Sequence, residues 1–438
     1  MSGRKLLAAV LILALFPLPC LAAGKGVYEA VELKEREKSL IETVNEYENL
    51  FVRRGYRYDT DELNALIRGI AERLAPEPTD PYIDYRFYVF RNPIPNAFAL
   101  PDGQVYLHTG MLAVLENEAQ LAGLLAHEIN HSAGHHSVLS FRSARKKVIT
   151  SMVLGPLTLG LSDIFLILSM LGYSRDLEEE ADRRGFEQAL DLGYDVREMA
   201  RFFEILNRDP EGERIRVKTK WSTHPQLQDR ADYIRGMVAE REEGVNFGEL
   251  KVEAKSYRSV TREVALLTVE DLARADYPRS ALYLAKRLVE EDDTEAEAHF
   301  LLGEALRALG GRGEISLQEE PTKKEKRKTR IERVVLTRGE REEKRLETEE
   351  GRENLRRNLD AAQSAYRRAL ELDASLAEAH RGLGFALEGL GLYKEAGKEL
   401  VKYLRARPEA LDKEIVMERL KSITENLKKE GEEENASP

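Results

Sequence analysis

Apolar residues recur with a helical period through much of the chain. From Tyr28 to Leu50, Leu33, Leu40, Ile41 and Val44 make an apolar stripe among charges, and Asp61 to Leu74 repeats the spacing, so both stretches are expected as scaffold helices. After the break at Pro76 and Pro78, Ile83 to Phe90 is rich in aromatic and branched residues and reads as a strand. Asn96 to Gly110 reads as two short strands joined at Pro101, Asp102 and Gly103, which gives a small sheet. Glu116 to Ile129 returns to helix formers without a proline. Val148 to Leu171 is the most apolar part beyond the first residues, broken by Gly155-Pro156 and Ser162-Asp163, and is expected as two short apolar helices. That hairpin is open to three readings: contact with a membrane surface or the active site, a true span, or buried core. Ser174 to Gly185 is strongly helical, with Ser174 as a candidate N-cap.

From Ser280 a second pattern takes over. Glu297-Ala298-His299 recurs as Glu378-Ala379-His380, and Gly303, Ala305, Leu306, Leu309 and Gly310 recur at the same offset as Gly384, Ala386, Leu387, Leu390 and Gly391. Small residues so spaced let helical hairpins stack on a shared core, and the pattern resembles tetratricopeptide repeats. Residues 312–357 are dominated by charges of both signs and are expected as either an exposed charged helix or a flexible insertion in that array, with the Lys323 to Arg330 cluster a solvated face. The tail at 429–438 is expected to be disordered.

Composition narrows the function classes. A hydrophobic content of 42% supports packed cores, and a net charge of −11 excludes the basic surface that nucleic acid demands. Residues 1–23 read as an export signal: Arg4 and Lys5, an apolar run from Leu6 to Phe16, then cleavage near Ala22 or Ala23. Cys20 is the only cysteine, so the mature protein uses no disulfide; lipid attachment there is the competing reading.

The chemistry concentrates in His127, Glu128 and His131, an HExxH motif. On a helix the two imidazoles lie one turn apart on one face and can grip a zinc ion, with Glu128 placed to take a proton from its water. Two histidines under-coordinate zinc. Glu178 and Asp182 share a helix face, so one can reach the metal while the other accepts the free N–H of a ligand histidine. His135 and His136 read as helix-end cations facing the dipole, His108 as a surface or packing residue, and Glu179 and Glu180 as solvated.

The sequence NAFALPDGQVYLHTG, then HEINH, then SRDLEEEAD resembles the HExxH zinc metallopeptidase family of HtpX, Oma1, the CAAX prenyl endopeptidase and BepA, and within it the periplasmic members with C-terminal tetratricopeptide repeats. The resemblance implies one zinc per chain held by His127, His131 and Glu178, with Asp182 behind the ligands. A downstream His-Pro element matches His224-Pro225 with Arg230. It implies that His224 either stabilises the tetrahedral intermediate or swings onto the metal and silences it, and that Arg230 positions this region. Asn130 and His135 depart from residues common in relatives.

The expected fold is α+β but mostly helical: a zincin-like metallopeptidase domain with a small sheet at 27–245, carrying the hairpin at 148–171, then a helical repeat domain at 250–428. The expected function is a zinc-dependent endopeptidase of the bacterial periplasm that cleaves misassembled envelope proteins. Asn96, Ala97, Phe98 and Ala99 would hold the extended substrate backbone at a strand edge, and the repeats would recruit a client or an outer-membrane assembly complex. The rival is an assembly chaperone whose zinc site is silenced by His224.

Overall fold

The computed structural model describes residues 31–35, 37–38, 41, 56–75, 80–140, 142, 172–207, 227–310 and 348–436. The export signal with Cys20, most of the helix expected at 28–50, the hairpin at 148–171, His224 and most of the charged insertion lie outside the described residues.

Helix α1 (Asp61–Leu74) starts where the Thr60 hydroxyl accepts the Leu63 N–H, and it buries Leu63, Ile67, Ile70 and Leu74. Strands β1 (Arg86–Phe90), β2 (Ala97–Ala99) and β3 (Gln104–His108) form a sheet of order β1-β3-β2. The expected turn at Pro101-Gly103 joins β2 and β3 antiparallel, with Phe98 opposite Tyr106, while β1 runs parallel to β3. Gly103 takes a φ of 93°, and a Cβ there would stand 2.8 Å from the Asp84 carbonyl oxygen, so the turn requires glycine. Side-chain alternation then sorts the faces. Val89, Leu107 and Ala97 enter the core with α1, whereas Tyr88, Tyr106 and Phe98 make a ladder of rings 5.2–5.3 Å apart on the other face.

Helix α2 (Thr109–Val114) leads into the buried helix α3 (Glu118–Ala133), capped by the Asn117 side chain, which accepts the Gln120 N–H at 2.9 Å. Around α3 pack α4 (Arg175–Asp191), α5 (Arg197–Asn207) and, against α4 and α5, α6 (Leu227–Arg241). Helix α7 (Ala254–Arg274) closes this core with Tyr257 and Val264 and opens the next with Val269 and Leu272.

Helices α8 (Pro278–Glu291), α9 (Ala296–Leu309), α10 (Glu349–Leu372), α11 (Ala377–Gly389), α12 (Tyr393–Ala406) and α13 (Lys413–Ala436) then pack in succession. The Tyr366 ring is wedged between Gly303 and Gly382, where an added Cβ would meet it at 2.6 and 2.4 Å. The matched glycines Gly310 and Gly391 both take positive φ, 52° and 78°, at the ends of equivalent helices. Two expectations need correction. Helix α10 already runs from Glu349, so 349–357 belong to the array rather than to an insertion, and α13 continues to Ala436 through the tail expected as disordered. The Glu- and Lys-rich run has adequate helix propensity once α13 is nucleated by Val416 and Ile423 against the array.

The helical layer is clasped onto α2. The Tyr257 hydroxyl donates to the Leu112 carbonyl at 2.8 Å, Arg287 donates to the carbonyls of Ala113 and Val114, and Arg91 makes a two-point pair with Asp271 at 2.9 Å. Among the described residues no helix is long and apolar enough to cross a membrane.

Candidate metal centre

Three donor atoms converge between α3 and α4. The Nε2 atoms of His127 and His131 are 2.9 Å apart, and the Glu178 carboxylate lies 3.6 Å from the first and 3.7 Å from the second. All three side chains are buried, and their donor atoms lie within 4.8 Å of one another. Ligands about 2.0–2.1 Å from a tetrahedral zinc stand about 3.4 Å apart, so this set fits zinc with a slight opening of the two imidazoles. Close packing makes the convergence possible. At Gly185 an added Cβ would stand 3.2 Å from the His127 backbone nitrogen, tighter than most Cβ contacts, so glycine eases the approach of α4 to the ligand turn of α3.

Behind the ligands sits a buried ionic knot. Asp182 Oδ1 accepts from His127 Nδ1 at 2.9 Å, and Asp182 also accepts from Arg230 Nε at 2.7 Å and Nη2 at 2.6 Å. Arg230 Nη1 reaches Glu178 at 2.8 Å, and its guanidinium lies 4.2 Å over the Phe203 ring. Burial alone would raise the Asp182 pKa, but the Arg230 charge and the His127 hydrogen bond outweigh it and hold the carboxyl well below its usual range. The ionised Asp182 fixes the His127 tautomer, leaving the Nε2 lone pair toward the metal position. Arg230 was expected to help position the region of His224, which lies outside the described residues; in the described part it also approaches His127, Nη2 standing 3.3 Å from Nδ1.

His131 is held differently. Its Nδ1 lies 2.8 Å from His136 Nδ1, and burial pulls the His136 pKa down to about 3, so that ring is neutral. With Nε2 turned to the metal position, His131 donates its Nδ1–H and His136 accepts. The Tyr173 ring stacks on His131 at 3.9 Å and 15°, and its hydroxyl bonds Ser137 at 2.9 Å; burial pushes that phenol pKa far up. His135 takes a φ of 50° after Gly134 and pairs with Asp80 at 2.7 Å. The reading of His135 and His136 as residues at a helix end facing its dipole is therefore corrected: the helix breaks at Gly134 and His135 and resumes at His136, and both rings are buried. His136 and Tyr173 were missed as contributors. The second histidine after a glycine and the aromatic just before Ser174 were the available signals.

Glu128 follows His127 and is wholly buried. Glu179 and Glu180 are half-exposed and make helical pairs with Arg175 and Arg184. His108 is buried between Phe90 and Phe98, donating from Nδ1 to the Ile94 carbonyl at 2.9 Å; burial lowers its pKa to about 4. Strand β2 lies at the sheet edge beside α3. His108 N bonds Asn96 O and Leu100 N bonds Gln104 O, so the alternate residues Ala97 and Ala99 turn their backbone groups away from β3. On that side Ser137 donates to Ala99 O at 3.4 Å, while Ser132 donates to Leu100 O at 3.2 Å. Asn130 donates to the Ala126 carbonyl and to Gln188, joining α3 to α4.

Comparison with known proteins bears on this geometry. Residues 59–238, which include His127, Glu128, His131, Glu178, Asp182 and Arg230, match peptidase family M48. Over that region the chain is similar to the M48 peptidases. It is 27% identical over 202 residues to the beta-barrel assembly-enhancing protease of Escherichia coli (strain K12), covering 41% of each chain. It is also 30% identical over 162 residues to the mitochondrial metalloendopeptidase OMA1 of Schizosaccharomyces pombe, covering 36% of this chain and 48% of that one. The chain thus spans less than half the length of these curated relatives. A solved structure, that of MamA, matches at 16% identity over 47% of this chain and 91% of that one, with a TM-score of 0.21, too loose a likeness to carry an argument. The three donor residues that could hold a metal ion all lie within the region similar to the M48 peptidases.

Proposed function

We propose that this protein is an exported zinc endopeptidase of the bacterial envelope that cleaves misassembled or unfolded envelope proteins, its C-terminal helical repeats recruiting them. The observation that carries the reading is the buried meeting of His127, His131 and Glu178 inside the region similar to the M48 peptidases. Bound there, a zinc ion would supply a Lewis acid that polarises the scissile carbonyl and makes water acidic enough to attack near neutral pH. Glu128, next to a ligand and shut away from bulk solvent, accepts the water proton and returns it to the leaving amine. Asp182 and the neutral His136 keep the two ligand imidazoles in the tautomer that presents Nε2. Residues Asn96 to Ala99 hold the substrate as an added strand, through backbone groups that take little account of its side chains. Export rests on the N-terminal signal pattern and on the relatives named for β-barrel assembly.

Glu128→Gln is expected to lower casein cleavage by at least about a hundredfold while zinc content stays at one per chain. Cleavage at the wild-type rate by the purified variant would remove this mechanism. The name of the E. coli relative supports a second reading, an assembly chaperone with a silenced zinc site. Increased cleavage by His224→Ala would favour that reading, and lost cleavage a direct role for His224.

A further inference from the structure

We propose that Tyr173 is a positioning residue for His131: its ring fixes the imidazole so that Nε2 faces His127 and Glu178, and its hydroxyl ties that arrangement through Ser137 to strand β2. The functional meaning rests on the metallopeptidase reading, whereas the geometry stands apart from it.

The two ligand histidines are secured by different devices. His127 is held at one edge by a carboxylate, Asp182, at 2.9 Å. His131 has the His136 imidazole at its Nδ1 edge, at 2.8 Å, and the Tyr173 ring over one face at 3.9 Å and 15°. A hydrogen bond at one edge still lets an imidazole rock about that edge; a ring lying nearly parallel against its face prevents the rocking. Tyr173 stands just before Ser174, the N-cap of α4, and that helix carries Glu178 in its first turn. A shift of α4 therefore moves the brace and the acidic ligand together.

The hydroxyl extends the same device toward substrate. Tyr173 and Ser137 share a hydrogen bond of 2.9 Å, and Ser137 lies 3.4 Å from the carbonyl oxygen of Ala99. That carbonyl belongs to the side of β2 turned away from β3. Ring and hydroxyl thus have separable duties, the first toward the metal position and the second toward the edge that would hold a peptide.

The test uses the full chain with Tyr173→Leu, Tyr173→Phe and Ser137→Ala, each checked for fold by circular dichroism. Zinc affinity is read by competition with a chromophoric chelator, cobalt(II) spectra report ligand geometry, and kcat and KM are measured on casein. Tyr173→Leu should weaken zinc binding about tenfold or more and shift the cobalt bands. Tyr173→Phe keeps the stack and should hold zinc within about twofold of wild type. Tyr173→Phe and Ser137→Ala should each raise KM more than they lower kcat, and the double variant should do no worse than either single one. Should Tyr173→Leu fail to fold, Tyr173→Met fills the site without a ring and carries the same comparison. Equal zinc affinity in wild type and the ringless variant, or equal loss in Phe and Leu, overturns the proposal. Ranked zinc affinities in a protein that cleaves nothing would uphold it and sink the peptidase reading instead.

Discussion

Asp182→Asn tests how far stability and metal binding share one group. Asp182 is fully buried and accepts three hydrogen bonds, two from Arg230 at 2.7 and 2.6 Å and one from His127 at 2.9 Å. Asparagine keeps the volume but turns one of the two oxygens into an N–H, which then faces a donor, and removes the charge opposite a buried guanidinium. Breaking a buried pair from one end costs about 3–5 kcal/mol. Because Glu178 still reaches Arg230 at 2.8 Å, the lower end, about 3 kcal/mol, is expected. Losing the acceptor behind His127 should also weaken zinc binding about 10–100-fold. Urea unfolding of the chelator-treated protein reads the first quantity, and chelator competition the second. Adding Arg230→Met should restore much of the stability, since no charge is then left buried opposite a neutral group, and none of the zinc affinity. The carboxyl pKa is held below its unfolded value, so its stabilisation is present above about pH 4 and fades as pH falls through the folded value. That acid-side loss should be smaller in Asp182→Asn. A variant that loses under about 1 kcal/mol and holds zinc like wild type would refute the reasoning.

His108 supplies a second pH dependence of the same sign. Its pKa falls from an unfolded value of about 6.5 to about 4 on burial, so the unfolded chain binds more protons between those values and stability drops as pH falls across them. The loss is on the order of 3 kcal/mol, and His108→Gln should flatten the unfolding free energy over pH 6.5–4; an unchanged slope would count against it. At Gly185 an alanine gains about 1 kcal/mol of helix propensity but overpacks backbone at 3.2 Å, a cost of about 1–3 kcal/mol. Gly185→Ala should therefore lose about 1 kcal/mol net yet lower zinc affinity several-fold, because α4 is pushed off the turn that carries His127. Chelator competition against urea unfolding separates the two effects, and unaltered zinc affinity would show that the approach is not critical.

The parts of this protein that could be read from sequence are those whose physics is local. A four-residue histidine spacing, a Pro-Asp-Gly turn between aromatic strands and a run of helix formers without proline are short-range patterns, and α3, β2 and β3 follow from them. Glu178 and Asp182 could be placed on one face by spacing, although which faces the metal came from resemblance to relatives. His136 was misjudged because its role depends on a helix break at Gly134 and His135, which helix periodicity does not encode. Tyr173 was missed for a similar reason: it meets His131 only after α4 has docked on α3, 42 residues along the chain. The tail was misread because charge density was weighed above helix propensity over 429–436.

The grip of Arg287 and Tyr257 on the carbonyls of Leu112, Ala113 and Val114 makes severing the chain near residue 250 hazardous. Ala113 belongs to the same apolar cluster as Leu282 and Leu288, while Tyr257 and Val264 complete the cluster around α3. A fragment ending before α7 would lose the lining of its own interior, and a pull on the repeat array would be felt at the short helix that feeds directly into the zinc-binding one.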